Sequence, residues 1–182
     1  MIHCKRKRRC IEASLVFALV LFMTFAPLHF NLMGLLPKVF YLNTTPSLPV
    51  GLYLRVPAIH LEDGDAVVYR PSESTMQLAK DRDWIPSDEM FIKEVGALQH
   101  ETYSINPDNL QFLANGKYIG QVSPIDHLGR MMPVLRGDFV VPDDVFLPVA
   151  NNPSSFDGRY TGPVPTKNIE AKVIPLILEF HW

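Results

Sequence analysis

One serine in this sequence keeps unusual company. In Asn43-Thr44-Thr45-Pro46-Ser47-Leu48-Pro49-Val50-Gly51-Leu52-Tyr53 two prolines flank Ser47, restricting the backbone on both sides and holding its hydroxyl on a stiff turn. Thr45 lies two residues back, near enough for its hydroxyl to share an oxyanion site with a backbone N–H. On composition alone the stretch also reads as a Pro-rich linker.

A nucleophilic serine needs a base. His60, His100 and His127 sit in turn-like contexts, and there is no G-x-S-x-G elbow to present a serine to them. Lys93 can serve instead. It lies inside Met90-Phe91-Ile92-Lys93-Glu94-Val95, a strand-like run in which period two puts Phe91, Lys93 and Val95 on one face. An inward-facing amine is desolvated, which disfavours its charged form and lets the neutral form accept a proton. The plain alternative is an outward-facing lysine among apolar neighbours. A third cluster is Ser154-Ser155-Phe156-Asp157-Gly158-Arg159-Tyr160. Here Ser155 can hydrogen-bond an amine, and Asp157 with Arg159 can form an ion pair that fixes the loop. Taken alone, this cluster reads as a solvated turn.

Other chemistries find little support. The sequence has no H-E-x-x-H, no Walker loop, no G-x-G-x-x-G and no S-x-x-K, so neither a metal nor a cofactor is expected. The two cysteines, Cys4 and Cys10, both precede residue 13. The body therefore has no disulfide and no thiol nucleophile.

The elements that must position these residues follow from composition. The net charge of -2 over 182 residues is an average of two opposites: residues 1–40 carry +5 and residues 41–182 carry -7. An acidic body without a basic cluster argues against nucleic-acid binding. From Ala13 to Pro37 the chain runs 25 residues without a formal charge, and roughly 20 apolar residues suffice to cross a bilayer. Five consecutive bases, Lys5 to Arg9, precede that run and mark the cytoplasmic side. The expected organisation is a basic cytoplasmic tail over 1–12, an uncleaved transmembrane anchor over 13–37 and an exported domain over 38–182. A cleaved signal peptide is the competing reading, disfavoured by the length of the run.

Past Tyr41, short β-rich runs alternate with turn residues. Gly51–Val56 and Ala66–Arg70 read as a strand pair with a turn at Glu62–Asp65. Further strands are expected at Met90–Ala97, Thr102–Ile105, Leu110–Ala114, Lys117–Val122, Asp138–Val141, Val145–Val149 and Ile169–Leu178. Asn115-Gly116 is the strongest hairpin signal. The helix candidate is Ser74–Arg82, capped by Ser72 or Ser74, and Asn151–Gly162 reads as an irregular polar loop. The fold class is mainly β, an antiparallel domain tethered by one N-terminal transmembrane helix.

Taken in order, these pieces resemble the signal peptidase I superfamily of Ser/Lys proteases (peptidase family S26), and within it the small conjugal-transfer branch, the TraF-type pilin-processing peptidases. The Ser47 box is similar to the nucleophile box, with one residue between Ser and Pro as in that branch. Glu62–Tyr69 resembles the strand that follows, Phe91–Ala97 the lysine box, Leu113–Gly116 the family hairpin and Ser155–Gly162 the last box. The resemblance implies Ser47 as nucleophile, Lys93 as general base and Ser155 as the hydroxyl that orients the lysine. It further implies an oxyanion site at the Ser47 N–H with Thr45, and support from Asp157 and Arg159.

The chain departs from the family pattern in three places. Glu94 stands where a basic residue is frequent, Val149-Ala150-Asn151 stands in place of Gly-Asp-Asn, and Gln99-His100-Glu101 replaces Pro-Gly-Asp. Altered loop support is expected there. The activity implied is endoproteolysis of an exported precursor after a small residue at the bacterial inner membrane, with the catalytic domain in the periplasm. A conjugative pilin subunit is the first candidate precursor, and an amine of the substrate could close it into a ring. Membrane lipid and components of a conjugation or type IV secretion machine are the other implied partners. The alternatives are a general type I signal peptidase acting on many preproteins, and a non-catalytic β module of a transfer or secretion assembly.

Overall fold

In the computed structural model, residues 38–85 and 90–178 are described. The segment 13–37 that carries the anchor reading lies outside them, and among the described residues no helix is long and apolar enough to cross a membrane. Among the described residues, short runs of β-branched and aromatic residues, cut by turn residues, build eleven strands. In chain order these are β1 Phe40–Asn43, β2 Gly51–Val56, β3 Ala66–Tyr69, β4 Phe91–Ala97, β5 Thr102–Ile105 and β6 Gln111–Ala114. They continue with β7 Lys117–Gln121, β8 Gly137–Val140, β9 Val145–Val149, β10 Val164–Pro165 and β11 Ile169–Leu178.

The strands form two sheets, a seven-stranded one in the order β1-β2-β11-β3-β4-β9-β10 and a four-stranded one in the order β7-β6-β5-β8. Every pairing is antiparallel, so the expected mainly-β antiparallel class stands. The expected pairing of Gly51–Val56 with Ala66–Arg70 does not. The last strand, β11, lies between them, with Ile174 opposite Leu54 on one side and Lys172 opposite Val67 on the other. Helix α1, Glu73–Asp81, begins one residue earlier than expected, and Ser72 caps it by accepting from the Thr75 N–H at 3.2 Å.

In the first sheet Tyr41, Tyr53 and Val173 are buried. The opposite face of β1 and β11 is open: Phe40, Leu42, Ile174 and Ile177 are each more than two-fifths exposed. In register, Phe40 lies across from Leu54 and Ile174, and Leu42 from Leu52 and Ile177. This produces two apolar rows on one sheet face. The second sheet packs a core around Ile105 and Phe112 that it shares with Ala97 of β4 and Leu147 of β9, joined by Val141, Tyr103 and Tyr160. The expected irregular loop at Asn151–Gly162 is only partly irregular. It contains a short helix, α2 Gly158–Thr161, capped by Asp157, and Ser155 together with residues 157–160 is buried.

Candidate active site

Ser47 sits half-buried in a turn between β1 and β2, with Leu48 buried beneath it. Pro46 and Pro49 cannot donate backbone hydrogen bonds, so the turn depends on side chains for closure. Asn43, at the end of β1 and 4% exposed, supplies it. Its amide nitrogen donates to the carbonyls of Leu48 and Pro49 at 3.0 and 3.1 Å. Its oxygen accepts the Thr45 N–H at 3.2 Å and the Thr45 hydroxyl at 3.0 Å. All four hydrogen-bonding positions of the amide are thereby used. Tyr53 adds a hydroxyl donated to the Pro49 carbonyl at 2.7 Å.

Lys93 projects from the middle of β4 beside apolar neighbours. It lies opposite Val67 in the sheet register and is 4% exposed, so its ammonium has little water around it. Burial moves the amine down to about 8 from 10.5; the Asp157 carboxylate opposes that shift and the Arg159 guanidinium reinforces it. Nζ donates to Ser155 Oγ at 2.9 Å and lies 5.8 Å from the centre of the Phe91 ring. Ser155 Oγ in turn points at Ser47 Oγ, 3.5 Å away. A neutral amine has two N–H groups and one lone pair. Donating one N–H to Ser155 leaves the lone pair available to accept a proton.

Ser155 is held over Lys93 by an ion pair with no exposed surface. Asp157 and Arg159 are both fully buried, with Arg159 Nε 2.8 Å from Asp157 Oδ1 and Nη2 3.1 Å from Oδ2. The pair folds the loop back onto the end of β9. Asp157 Oδ2 accepts the Ala150 N–H at 2.9 Å, and Arg159 Nη2 donates to the Ala150 carbonyl at 2.5 Å. Ala150 follows β9, and β9 neighbours β4, so the fork brings Ser155 to the strand that carries Lys93. On its other side Arg159 Nη1 reaches the Gln121 carbonyl at 3.3 Å, and the guanidinium lies 5.8 Å from the Phe112 ring centre. A side chain at Gly120 would start 3.1 Å from that Nη1. The solvated turn suggested by local composition is thus a fully desolvated charge pair with its hydrogen bonds supplied.

The fold therefore gathers Ser47, Lys93 and Ser155 into one hydrogen-bonded run, and seats Asp157 and Arg159 behind it. Thr45 is exposed, and its hydroxyl proton is engaged by Asn43 Oδ1 rather than left for an oxyanion. The histidines stand apart: His60, His100 and His127 are exposed, and His100 faces Asp143 at 3.2 Å. Among the described residues no group of three His, Cys, Asp or Glu side chains is placed to hold a metal ion. Two residues escape a reading of the sequence for chemistry, Asn43 and Asn152. Asn152 donates from Nδ2 to the Pro46 carbonyl at 2.7 Å and so joins the Ser155 loop to the Ser47 turn. A signal for Asn43 is present in the Pro-bracketed turn, whose carbonyls need a side-chain donor.

Comparison with known proteins identifies the family. The sequence matches the family described as signal peptidase, peptidase S26, over residues 10–177. A plasmid transfer protein TraF of Escherichia coli is 30% identical over 146 residues, which cover 74% of this chain and 80% of that protein. A second plasmid transfer protein TraF of Escherichia coli is 31% identical over 146 residues, covering 74% and 81%. A match over nearly the whole chain, carried on a mainly antiparallel β body, makes this chain a member of the S26 signal peptidase family, of the TraF type.

Proposed function

We propose that this chain is a membrane-anchored serine endopeptidase with a Ser47–Lys93 dyad, processing an exported precursor after a small residue on the outer face of the inner membrane. One observation carries the reading: a buried amine, lowered to about 8, lies 2.9 Å from a hydroxyl that is itself 3.5 Å from Ser47 Oγ. Ser47 Oγ attacks the scissile carbonyl while neutral Lys93 takes its proton. The N–H of Ser47 faces the oxyanion, and Thr45 joins it if its hydroxyl turns away from Asn43. The tetrahedral adduct collapses as the Lys93 ammonium returns the proton to the leaving amine. Water, or an amine of the substrate, then resolves the acyl-enzyme on Ser47 and regenerates the free hydroxyl.

Features outside the dyad support the proposed location and substrate. The uncharged run 13–37 supports a membrane anchor with the body exported, and the apolar rows of Phe40, Leu42, Ile174 and Ile177 begin three residues after it. Ser47 lies ten residues past that run, at most roughly 35 Å of extended chain. The site is thereby kept near the bilayer where an exported precursor is held. The TraF relatives, plasmid transfer proteins, favour a conjugative pilin subunit as precursor and a conjugation machine as the setting.

Co-expression with a candidate pilin precursor tests the reading. The chain should mature the precursor, and Ser47→Ala and Lys93→Met should each abolish maturation. Normal maturation by both variants would sink the Ser/Lys mechanism. Processing of unrelated preproteins at equal rate would make it a general signal peptidase. Mass spectrometry of the product separates a linear chain from a ring lighter by one water.

A further inference from the structure

We infer that Asn152 is a positioning residue that aims the Ser47 N–H at the developing oxyanion, by holding the carbonyl on the other side of the same peptide unit. The inference rests on Ser47 as nucleophile. Asn152 Nδ2 donates to the Pro46 carbonyl at 2.7 Å. That carbonyl and the Ser47 N–H belong to one planar peptide group, and no cis peptide bond occurs among the described residues. In a trans peptide the C=O and N–H point in opposite directions. Drawing the Pro46 oxygen toward the 151–156 loop therefore turns the Ser47 N–H away from that loop, and fixes its direction before substrate arrives.

The hold is rigid because Asn152 is tied at three points. Its Oδ1 accepts the Ser154 N–H at 2.8 Å, and its backbone carbonyl accepts the Ser155 N–H at 3.0 Å. The same residue thus shapes the turn that presents Ser155 and orients the peptide that precedes Ser47. The ring of Pro46 fixes only its own φ, so the 46–47 peptide remains free to turn about the Pro46 ψ and the Ser47 φ unless its carbonyl is held. From the opposite side Asn43 holds the carbonyls of Leu48 and Pro49. Rotation of the 46–47 peptide is then limited mainly by Asn152, and an oxyanion donor is effective only when its direction is set in advance.

Two substitutions separate this role from simple loop support. Asn152→Asp keeps an oxygen for the Ser154 N–H, and Asp serves such turns as well as Asn, but it replaces the donor facing Pro46 with an acceptor. Asn152→Ala removes both contacts. The measurement uses the full-length chain, an internally quenched peptide with Ala before the scissile bond, and a peptidyl trifluoromethyl ketone of the same sequence. Rates are taken on the high-pH plateau, where Lys93 is neutral in every variant.

Both variants should lose about 10- to 100-fold in kcat with KM within about twofold. Binding of the ketone, whose adduct carries the oxyanion, should weaken by the same factor as kcat/KM. Full kcat in Asn152→Asp would show that only the turn matters and would overturn the inference, as would a change in KM alone. Ser47→Ala is measured alongside. If it is inactive while both Asn152 variants are fully active, this inference alone fails; if Ser47→Ala cleaves normally, the nucleophile assignment fails and the inference with it.

Discussion

Lys93 and Ser155 stand 62 positions apart in the chain and meet with 2.9 Å between Nζ and Oγ, at 4% and 2% exposure. A lysine so placed costs the fold stability whenever it is charged, and in the proposed dyad it acts as the base only when neutral. Its surroundings decide the balance. Asp157, the carboxylate that would hold Lys93 protonated, is itself countered by Arg159, so desolvation governs.

The first prediction concerns pH. Cleavage should rise through about pH 8 as Lys93 loses its proton and stay level above it. Stability should change in the same direction. Between about 8 and 10.5 the unfolded lysine binds a proton that the folded one does not, so stability increases with pH across this window. Below it both states are protonated and the full penalty applies, about 3 kcal/mol from the interval between 10.5 and about 8. Lys93→Met should therefore abolish cleavage yet raise stability at pH 7 by about 1–3 kcal/mol. That gain should vanish near pH 10.5, as denaturant titrations at both pH values would show.

Ser155→Ala should lower kcat by about 10- to 100-fold, because the amine loses the hydroxyl that fixes its position. The midpoint of the pH–rate profile should also move down, since Ser155 accepts a stronger hydrogen bond from the ammonium than from the neutral amine. Ser155→Thr, which keeps the hydroxyl, should restore part of the rate. A profile unchanged in Ser155→Ala would remove Ser155 from the site.

Breaking the buried ion pair should affect both folding and acidity. Arg159→Ala leaves Asp157 charged and unpaired in an environment without water, at a cost of about 3–5 kcal/mol. In a protein of this size that lowers Tm by roughly 10 °C. In any fraction that still folds, the unopposed carboxylate should raise the midpoint of the pH–rate profile, because Arg159 now pushes Lys93 down. The joint variant Asp157→Asn with Arg159→Met should be less damaged than Arg159→Ala alone, which a double-mutant cycle in thermal unfolding would reveal.

Gly158 tests the packing that holds the loop. A Cβ there would lie 2.6 Å from the Pro148 carbonyl oxygen and 2.7 Å from Leu147 Cδ1, so either the backbone or β9 must shift. Gly158→Ala should cost about 1–3 kcal/mol and displace Ser155, lowering kcat as well. At Gly64 a Cβ meets nothing within 4 Å and only its φ of +87° resists. Gly64→Ala should therefore reduce Tm modestly and leave kcat intact.

Local chemistry made some of this architecture legible. Asn115-Gly116 announces the β6–β7 hairpin because both residues take positive φ, at 49° and 73°, as such turns require. Lys93 is conspicuous because a charged amine between Phe91 and Val95 interrupts an apolar strand face. The separation of Gly51–Val56 from Ala66–Tyr69 was not legible, since the strand that divides them comes more than 100 residues later and no local pattern encodes it. Strand β1 escapes notice for another reason: Phe40 and Leu42 are as apolar as a core stripe yet face outward, so alternation fails. The burial of Asp157 and Arg159 depends on Ala150, Gln121 and Phe112, whose approach only the folded chain reveals.

The most direct test of the Ser47–Lys93 dyad is to trap the acyl-enzyme. The full-length chain is mixed with a peptide ester bearing Ala at the acyl position, quenched in acid, and examined by intact-mass and fragment mass spectrometry. The dyad predicts an adduct equal to the ester minus its alcohol, located on Ser47, absent in Ser47→Ala and formed far more slowly in Lys93→Met. An adduct on another residue, or equal labelling of Ser47→Ala and the unaltered chain, would contradict it.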